Sequence, residues 1–250
     1  MRVYAAILLA AALFVTSCRK SAAPAPTKDP NTTKKETPGV PDAKTGNNTG
    51  NSGLISLEIE LPKPMFVGTP QNIDVPNLEK PLGKPRSAPM VPAGVTNISR
   101  GKPVKSSDPM PIIGELSMIT DGDKEATDGS YVELGPGLQN VVIDLGGENN
   151  IYAIVIWHQH KQAGVYYDVI VQVADDPDFI SNVQTLFNND VDNSAGQGAG
   201  QDMHYVETNE GKLINGKGIK ARYVRLYSNG NTQNELNQYI EVEVYGKPAQ

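Results

Sequence analysis

The chain has 250 residues, of which 38% are hydrophobic, 20% charged and 6% aromatic. Of its 19 prolines, 13 precede residue 93, while 12 of the 15 Phe, Trp and Tyr residues follow residue 95, so one folded domain in the second part is all the composition supports. Residues 1–95 carry 11 Lys/Arg against 7 Asp/Glu and residues 96–250 carry 11 against 21, which sets a basic tail before an acidic domain and excludes nucleic acid as a partner, because such a domain repels a phosphate backbone.

Arg2 followed by the apolar run Ala5 to Val15 predicts a secretion signal, the run being too short for the roughly 20 residues of a membrane span. It ends Val15-Thr16-Ser17-Cys18, which resembles a bacterial lipobox and implies a signal peptide over 1–18 with lipidation at Cys18, the one cysteine of the chain. The alternative is a plain secretory signal with an incidental cysteine. Several acyl chains on one residue hold a membrane, at about 0.8 kcal/mol per buried CH2. The expected location is the cell envelope, lipid-anchored at the outer membrane or cell surface.

Residues 19–53 hold almost nothing apolar and are expected to be a disordered linker with a reach of roughly 30 Å. Residues 54–95 begin with a strand-like alternation, Leu54-Ile55-Ser56-Leu57-Glu58-Ile59-Glu60-Leu61, and continue with recurrent prolines that suit neither helix nor central strand. They are expected to form an extended arm, pinned by Met65, Phe66 and Ile73, or simply more linker.

From Val95 onward the apolar period is two, in Val141 to Leu145, Ile151 to Trp157, Tyr166 to Val173, Arg222 to Tyr227 and Tyr239 to Tyr245. Turn clusters such as Gly146 to Asn150 and Ser228 to Asn231 separate these segments. The fold class is therefore all-β, an antiparallel jelly-roll β-sandwich of about eight strands.

Four segments in order, Ile119-Thr120-Asp121-Gly122-Asp123, Val142 to Gly146, Ala221 to Leu226 and Ile240 to Gly246, resemble the landmarks of the coagulation factor 5/8 type C, or discoidin, family. The resemblance covers residues 96–247 and implies a galactose-binding-like jelly roll, with carbohydrate binding common among bacterial members. Two departures stand out: tryptophans common in the family are missing near Tyr131 and Asn140, and the stretch from Asn188 to Gly211 is longer and richer in Gly and Asn. The resemblance also implies a structural calcium at Asp121, Asp123 and Glu241, with Asp128 a further candidate ligand, since calcium takes hard oxygen ligands. The alternative is a set of turn-capping aspartates.

Two further strings suit ligand recognition. In Trp157-His158-Gln159-His160 the alternation of a strand puts His158 and His160 on one face, at a strand mouth ahead of the loop Lys161 to Gly164. Together with Tyr166 these offer the rings and planar polar groups that sugars favour, the alternative being that Trp157 is core and the histidines are structural. The loop Asn188 to Ser194 brings Asp190, Asp192 and Asn193 as alternating oxygen donors for a ligand or calcium, or as a solvated turn. A transition-metal site joining His158, His160 and His204 is also compatible with residue type. Gly211 to Lys217 and Gly196 to Gly200 fail as nucleotide loops, the former because Gly218 stands where Ser or Thr would be needed. With no cysteine left for catalysis and no nucleophile elbow, the chain is expected to be no enzyme but a membrane-tethered module that binds a glycan or polysaccharide through loops at one end of the sandwich. The alternative is an assembly module for another exported protein.

Overall fold

The computed structural model describes residues 53–68 and 72–249; the expected signal peptide, the lipidation at Cys18 and residues 19–52 of the expected linker lie outside them. Ten strands follow in order: β1 (Leu54–Ser56), β2 (Met90–Pro92), β3 (Thr96–Asn97), β4 (Val104–Ser106), β5 (Val132–Leu134), β6 (Gln139–His158), β7 (Ile170–Ala174), β8 (Gln184–Asn188), β9 (Lys212–Ser228) and β10 (Asn237–Pro248). The helical element among the described residues is one 3-10 turn, Leu116–Thr120. Strands β3 to β10 make an eight-stranded antiparallel sheet in the order β3-β10-β6-β9-β7-β8, with β4 against β6 and β5 against β10.

Two long strands turn this sheet into a sandwich. The first part of β6 pairs with β4 and with the end of β9, whereas its second part pairs with β10 and the beginning of β9. The register breaks between Asp144 and Asn149, where Gly146 takes a positive φ of 84° and donates its N–H to Asp144 Oδ1 at 2.8 Å. A second register shift, between Ile151 and Ala153 of β6, faces Lys217 (φ 54°) and Gly218 (φ 78°) of β9. Bulges of this kind bend a strand from one layer into the other. The turn expected at Gly146 to Asn150 is thus corrected to a bulge within one continuous strand: the glycine bends the chain without ending its pairing.

Alternate residues of both layers point inward, and Val141, Ile143, Ile154, Ile156, Val171, Val173, Val224, Leu226, Val242 and Val244 pack into one buried cluster. Burying each such side chain contributes about 1.5–3 kcal/mol. Asp144 and Arg222, from two of the sequence landmarks, form a two-pronged ion pair at 2.8 and 2.9 Å across β6 and β9. That pair holds the Asp144 carboxyl below its ordinary range and gives Arg222 a structural role.

A second apolar cluster lies on the outer face of β6 and β10. There Leu57, Val91 and Val95 of the Pro-rich arm cover Val155, Trp157, Ile240 and Tyr245. The arm closes on itself through the antiparallel pair β1 and β2. Polar contacts add to it: Lys124 Nζ donates to Glu60 O at 2.7 Å and Asn209 Nδ2 to Pro62 O at 3.0 Å. The pins differ from those expected, since Met65 is exposed and Phe66 and Ile73 are half-buried. Leu57, Val91 and Val95 sit nearer the arm's own β-pair and take that place.

Candidate functional site

The strip Trp157 to His160 lies inside the protein. Trp157 is fully buried beneath the arm, donates its indole N–H to Asn209 O at 3.0 Å, and has Lys124 Nζ 5.1 Å above its ring. His158 is also at 0% exposure, with Nδ1 2.6 Å from Glu207 Oε1 and its ring stacked on Tyr166 at 4.3 Å. Tyr166 donates its hydroxyl to Gln238 Oε1 at 3.0 Å, and burial raises its pKa well above the ordinary tyrosine value. His160 is buried and hydrogen-bonded through Nε2 to Lys124 O at 3.1 Å, and burial lowers its pKa. The expected ligand-facing mouth formed by Trp157, His158, His160 and Tyr166 is corrected on these grounds: Glu207, 49 residues along the chain, supplies an interior partner, and the arm covers the tryptophan. The three histidines are not gathered either, because His204 stands elsewhere, edge-on to Tyr167.

The corner expected to bind calcium is built where the Asp-Gly turn meets β10. Glu241 is at 0% exposure; its Oε2 accepts the Gly122 N–H at 3.1 Å, and its Oε1 has no hydrogen-bond partner. Burial pushes the Glu241 carboxyl up to about 9, with the neighbouring Glu243 and Asp121 adding to the rise and the Gly122 N–H opposing it. A buried carboxylate oxygen without a partner fits a hard cation, which would replace the proton this environment otherwise favours. Asp121 Oδ1 accepts the Asp123 N–H at 2.8 Å and Asp123 Oδ1 the Glu125 N–H at 3.0 Å, so both aspartates shape the turn through their side chains. Asp128 does not join this corner: it is exposed and paired with Lys161 at 2.7 Å.

Beside Glu241, Glu243 holds Lys124 Nζ at 3.0 Å and accepts the Tyr245 hydroxyl at 2.6 Å. Lys124 therefore links this acid, the arm carbonyl of Glu60 and the Trp157 face. It neutralises one of two buried acids and leaves the other to a proton or a cation.

At the loop end of the sandwich a different acid cluster forms. Among the described residues, Asp168, Asp190 and Asp192 bring one carboxylate oxygen each to within 4.8 Å of one another. Asp190 is fully buried and accepts the N–H groups of Ser194 and Ala195, each at 3.0 Å, on its two oxygens. Asp168, held at a φ of 50°, accepts Ser194 Oγ at 3.0 Å and Asn229 Nδ2 at 2.7 Å. Asp192 is exposed and accepts the Ser194 N–H at 3.0 Å, and its hydrogen bonds with Ser194 lower its pKa. Asn193, also exposed, closes the loop by accepting the Gly198 N–H at 2.7 Å.

Beside this cluster stands Tyr167, half-buried, its ring edge-on to His204 with centroids 5.8 Å apart. Its backbone is fixed on both sides, N–H to Gly230 O at 3.1 Å and carbonyl to the Asn229 N–H at 2.9 Å. Sequence reasoning passed over Tyr167, Asp168 and Asn229. The signal was present in Tyr166-Tyr167, since neighbouring residues of an extended chain face opposite ways and Tyr166 faces inward. Tyr167 directly precedes Asp168, whose carboxylate lies in the cluster with exposed Asp192, and aromatic, carboxylate and amide groups of this kind suit the C–H face and hydroxyls of a sugar.

Neither protein-family models nor curated proteins give a match to this chain. Among solved structures it is similar to a family 89 glycoside hydrolase from Clostridium perfringens, at 20% identity and a TM-score of 0.44, over 61% of this chain and 15% of that one. It is similar to the CBM32 module of AlyQ in complex with 4,5-unsaturated mannuronic acid, at 19% identity and a TM-score of 0.41, over 57% of this chain and 92% of the module. A fucose binding module from Streptococcus pneumoniae is matched at 18% identity and a TM-score of 0.41, over 60% of this chain and 97% of the module.

Proposed function

We propose that this protein is a non-catalytic carbohydrate-binding module, carried at the cell envelope on a lipid-anchored Cys18, with a structural calcium at Glu241. The observation that carries this reading is the loop end, where Asp168, next in sequence to half-buried Tyr167, clusters with Asp190 and exposed Asp192 and where Asn193 closes the loop. The four landmarks resembling the discoidin family support it as well, because two of them meet in the Asp144 to Arg222 pair and two in the contact of Gly122 with Glu241. Burial supports the non-catalytic reading at one place: the pair His158 and Glu207 has no exposed side-chain surface.

A glycan array probed with the full-length chain, with calcium and with chelator, tests the proposal. Binding should fall at least tenfold in Tyr167→Ala and in Asn193→Ala at unchanged melting temperature. Retention of full binding by both variants counts against the loop end as the site. A second reading, an assembly module for another exported protein, draws support from the exposed Leu54, Ile55 and Met90 on β1 and β2. Specific capture of a protein partner that is lost in Ile55→Ser, with no glycan bound, would favour it.

A further inference from the structure

The arm does more than cover Trp157. Its residues Met65, Phe66 and Glu79 to Arg86 face the segment from Tyr205 to Leu213 across a cleft of about 580 Å3. That volume falls among small-molecule sites, which span roughly 300–1,000 Å3.

The walls are locked by their own polar groups. Lys212 Nζ holds Glu79 Oε2 at 2.7 Å. The backbone N–H of Arg86 donates to the Glu210 carboxylate, at 3.1 Å to its nearer oxygen, and Arg86 Nη1 donates to Gly211 O at 2.8 Å. Both acids of the lining are thereby engaged. Lys80 and Lys84 also line the cleft, are exposed, and form no salt bridge among the described residues. Four cations against two acids make this a basic place on a chain whose net charge is −6.

Apolar surface stands open beside those two ammonium groups. Leu82 is 69% exposed and Met65 39%, and the rings of Phe66 and Pro81 line the same cleft. Thr208 and Asn209 line the cleft as well; Thr208 Oγ1 accepts the Glu210 N–H at 3.2 Å and Asn209 Nδ2 donates to Pro62 O at 3.0 Å, which leaves the Thr208 hydroxyl proton and Asn209 Oδ1 for a ligand's hydroxyls. The complement is a small, flat-faced ligand bearing hydroxyls and one anionic group.

We propose that this cleft is a binding site for an acidic sugar unit, with the carboxylate taken by Lys80 and Lys84 and the C–H face of the ring laid against Phe66 and Leu82. The cleft shares no lining residue with the loop end, and the arm supplies most of it. A charged hydrogen bond is stronger than a neutral one, so removing the charge on either side costs about tenfold in affinity.

Titration calorimetry of the full-length chain with tri-galacturonate and with its fully methyl-esterified form provides the test. The acid form should bind at low salt and at least tenfold more tightly than the ester, and added salt should weaken it. Lys80→Gln/Lys84→Gln should lose tenfold or more with its melting temperature unchanged, and Phe66→Ala should also weaken binding. Should Phe66→Ala loosen the arm, the lysine variant still decides, since both lysines are exposed. Lys105→Gln, which removes the charge of an exposed lysine outside the cleft lining, should bind the acid form as the unaltered chain does. Equal affinity for acid and ester, unaltered affinity in Lys80→Gln/Lys84→Gln, or no binding of the acid form would each overturn the proposal.

Discussion

The two acid-rich corners solve the same problem in opposite ways. At the loop end, Asp190 is buried but both its oxygens accept backbone N–H groups of its own loop, and Asn229 and Ser194 hold Asp168. Beneath the arm, Glu241 is equally buried and one of its oxygens has no partner at all. A buried charge without partners is costly, so the first corner holds itself together while the second calls for a proton or a cation. Acidity alone therefore does not separate the two corners; the partnering of their buried oxygens does.

The largest expected effect lies at Glu241. Its carboxyl titrates near 9 in the folded chain against 4.5 for an ordinary glutamate, so the folded state holds the proton more tightly than the unfolded one. That contribution to stability is fully present below about pH 4.5 and is lost as pH rises toward 9, a fall on the order of several kcal/mol. Melting curves in chelator at stepwise pH should show it. Calcium should reverse the fall, adding about 2.7 kcal/mol at a hundredfold excess over its dissociation constant. Glu241→Gln should flatten the pH dependence and abolish the calcium effect together; a calcium response that survives this change would place the ion elsewhere.

Next in size is Asp190→Ala, which strands the N–H groups of Ser194 and Ala195. Denaturant unfolding should register a loss of about 2–4 kcal/mol, the same with calcium as with chelator. A calcium-dependent loss would erase the distinction between the corners. Smallest is Asp192→Asn, an exposed side chain whose stability change should stay within about 0.5 kcal/mol. Its effect should appear in glycan affinity instead, and an unfolding shift without an affinity change would make Asp192 a loop residue only.

The inner core was readable because alternation along β6, β9 and β10 carries its own signature, visible in Val141 to Leu145 and Tyr239 to Tyr245. Long-range partners were not. Nothing near His158 announces Glu207, and nothing near Trp157 announces that Leu57 and Val91 will cover it. Part of the arm's attachment runs through backbone carbonyls, those of Glu60 and Pro62 among them, and every residue type offers a carbonyl. The loop Asn188 to Ser194 was legible as a cluster of oxygens, but its left-handed neighbour Asp168 comes from another element. Local pattern thus reveals strands and turns, while which side of a strand meets solvent depends on segments far along the chain.

Backbone amide NMR of the full-length chain, titrated with a bound glycan from the array, tests the central claim most directly. Shifts concentrated at Tyr167, Asp192 to Ser194 and Asn229, with the amides of His158 and His160 undisturbed, are the predicted result. Shifts confined to the strip Trp157 to His160, or spread over β1 and β2, would contradict the loop end as the carbohydrate site.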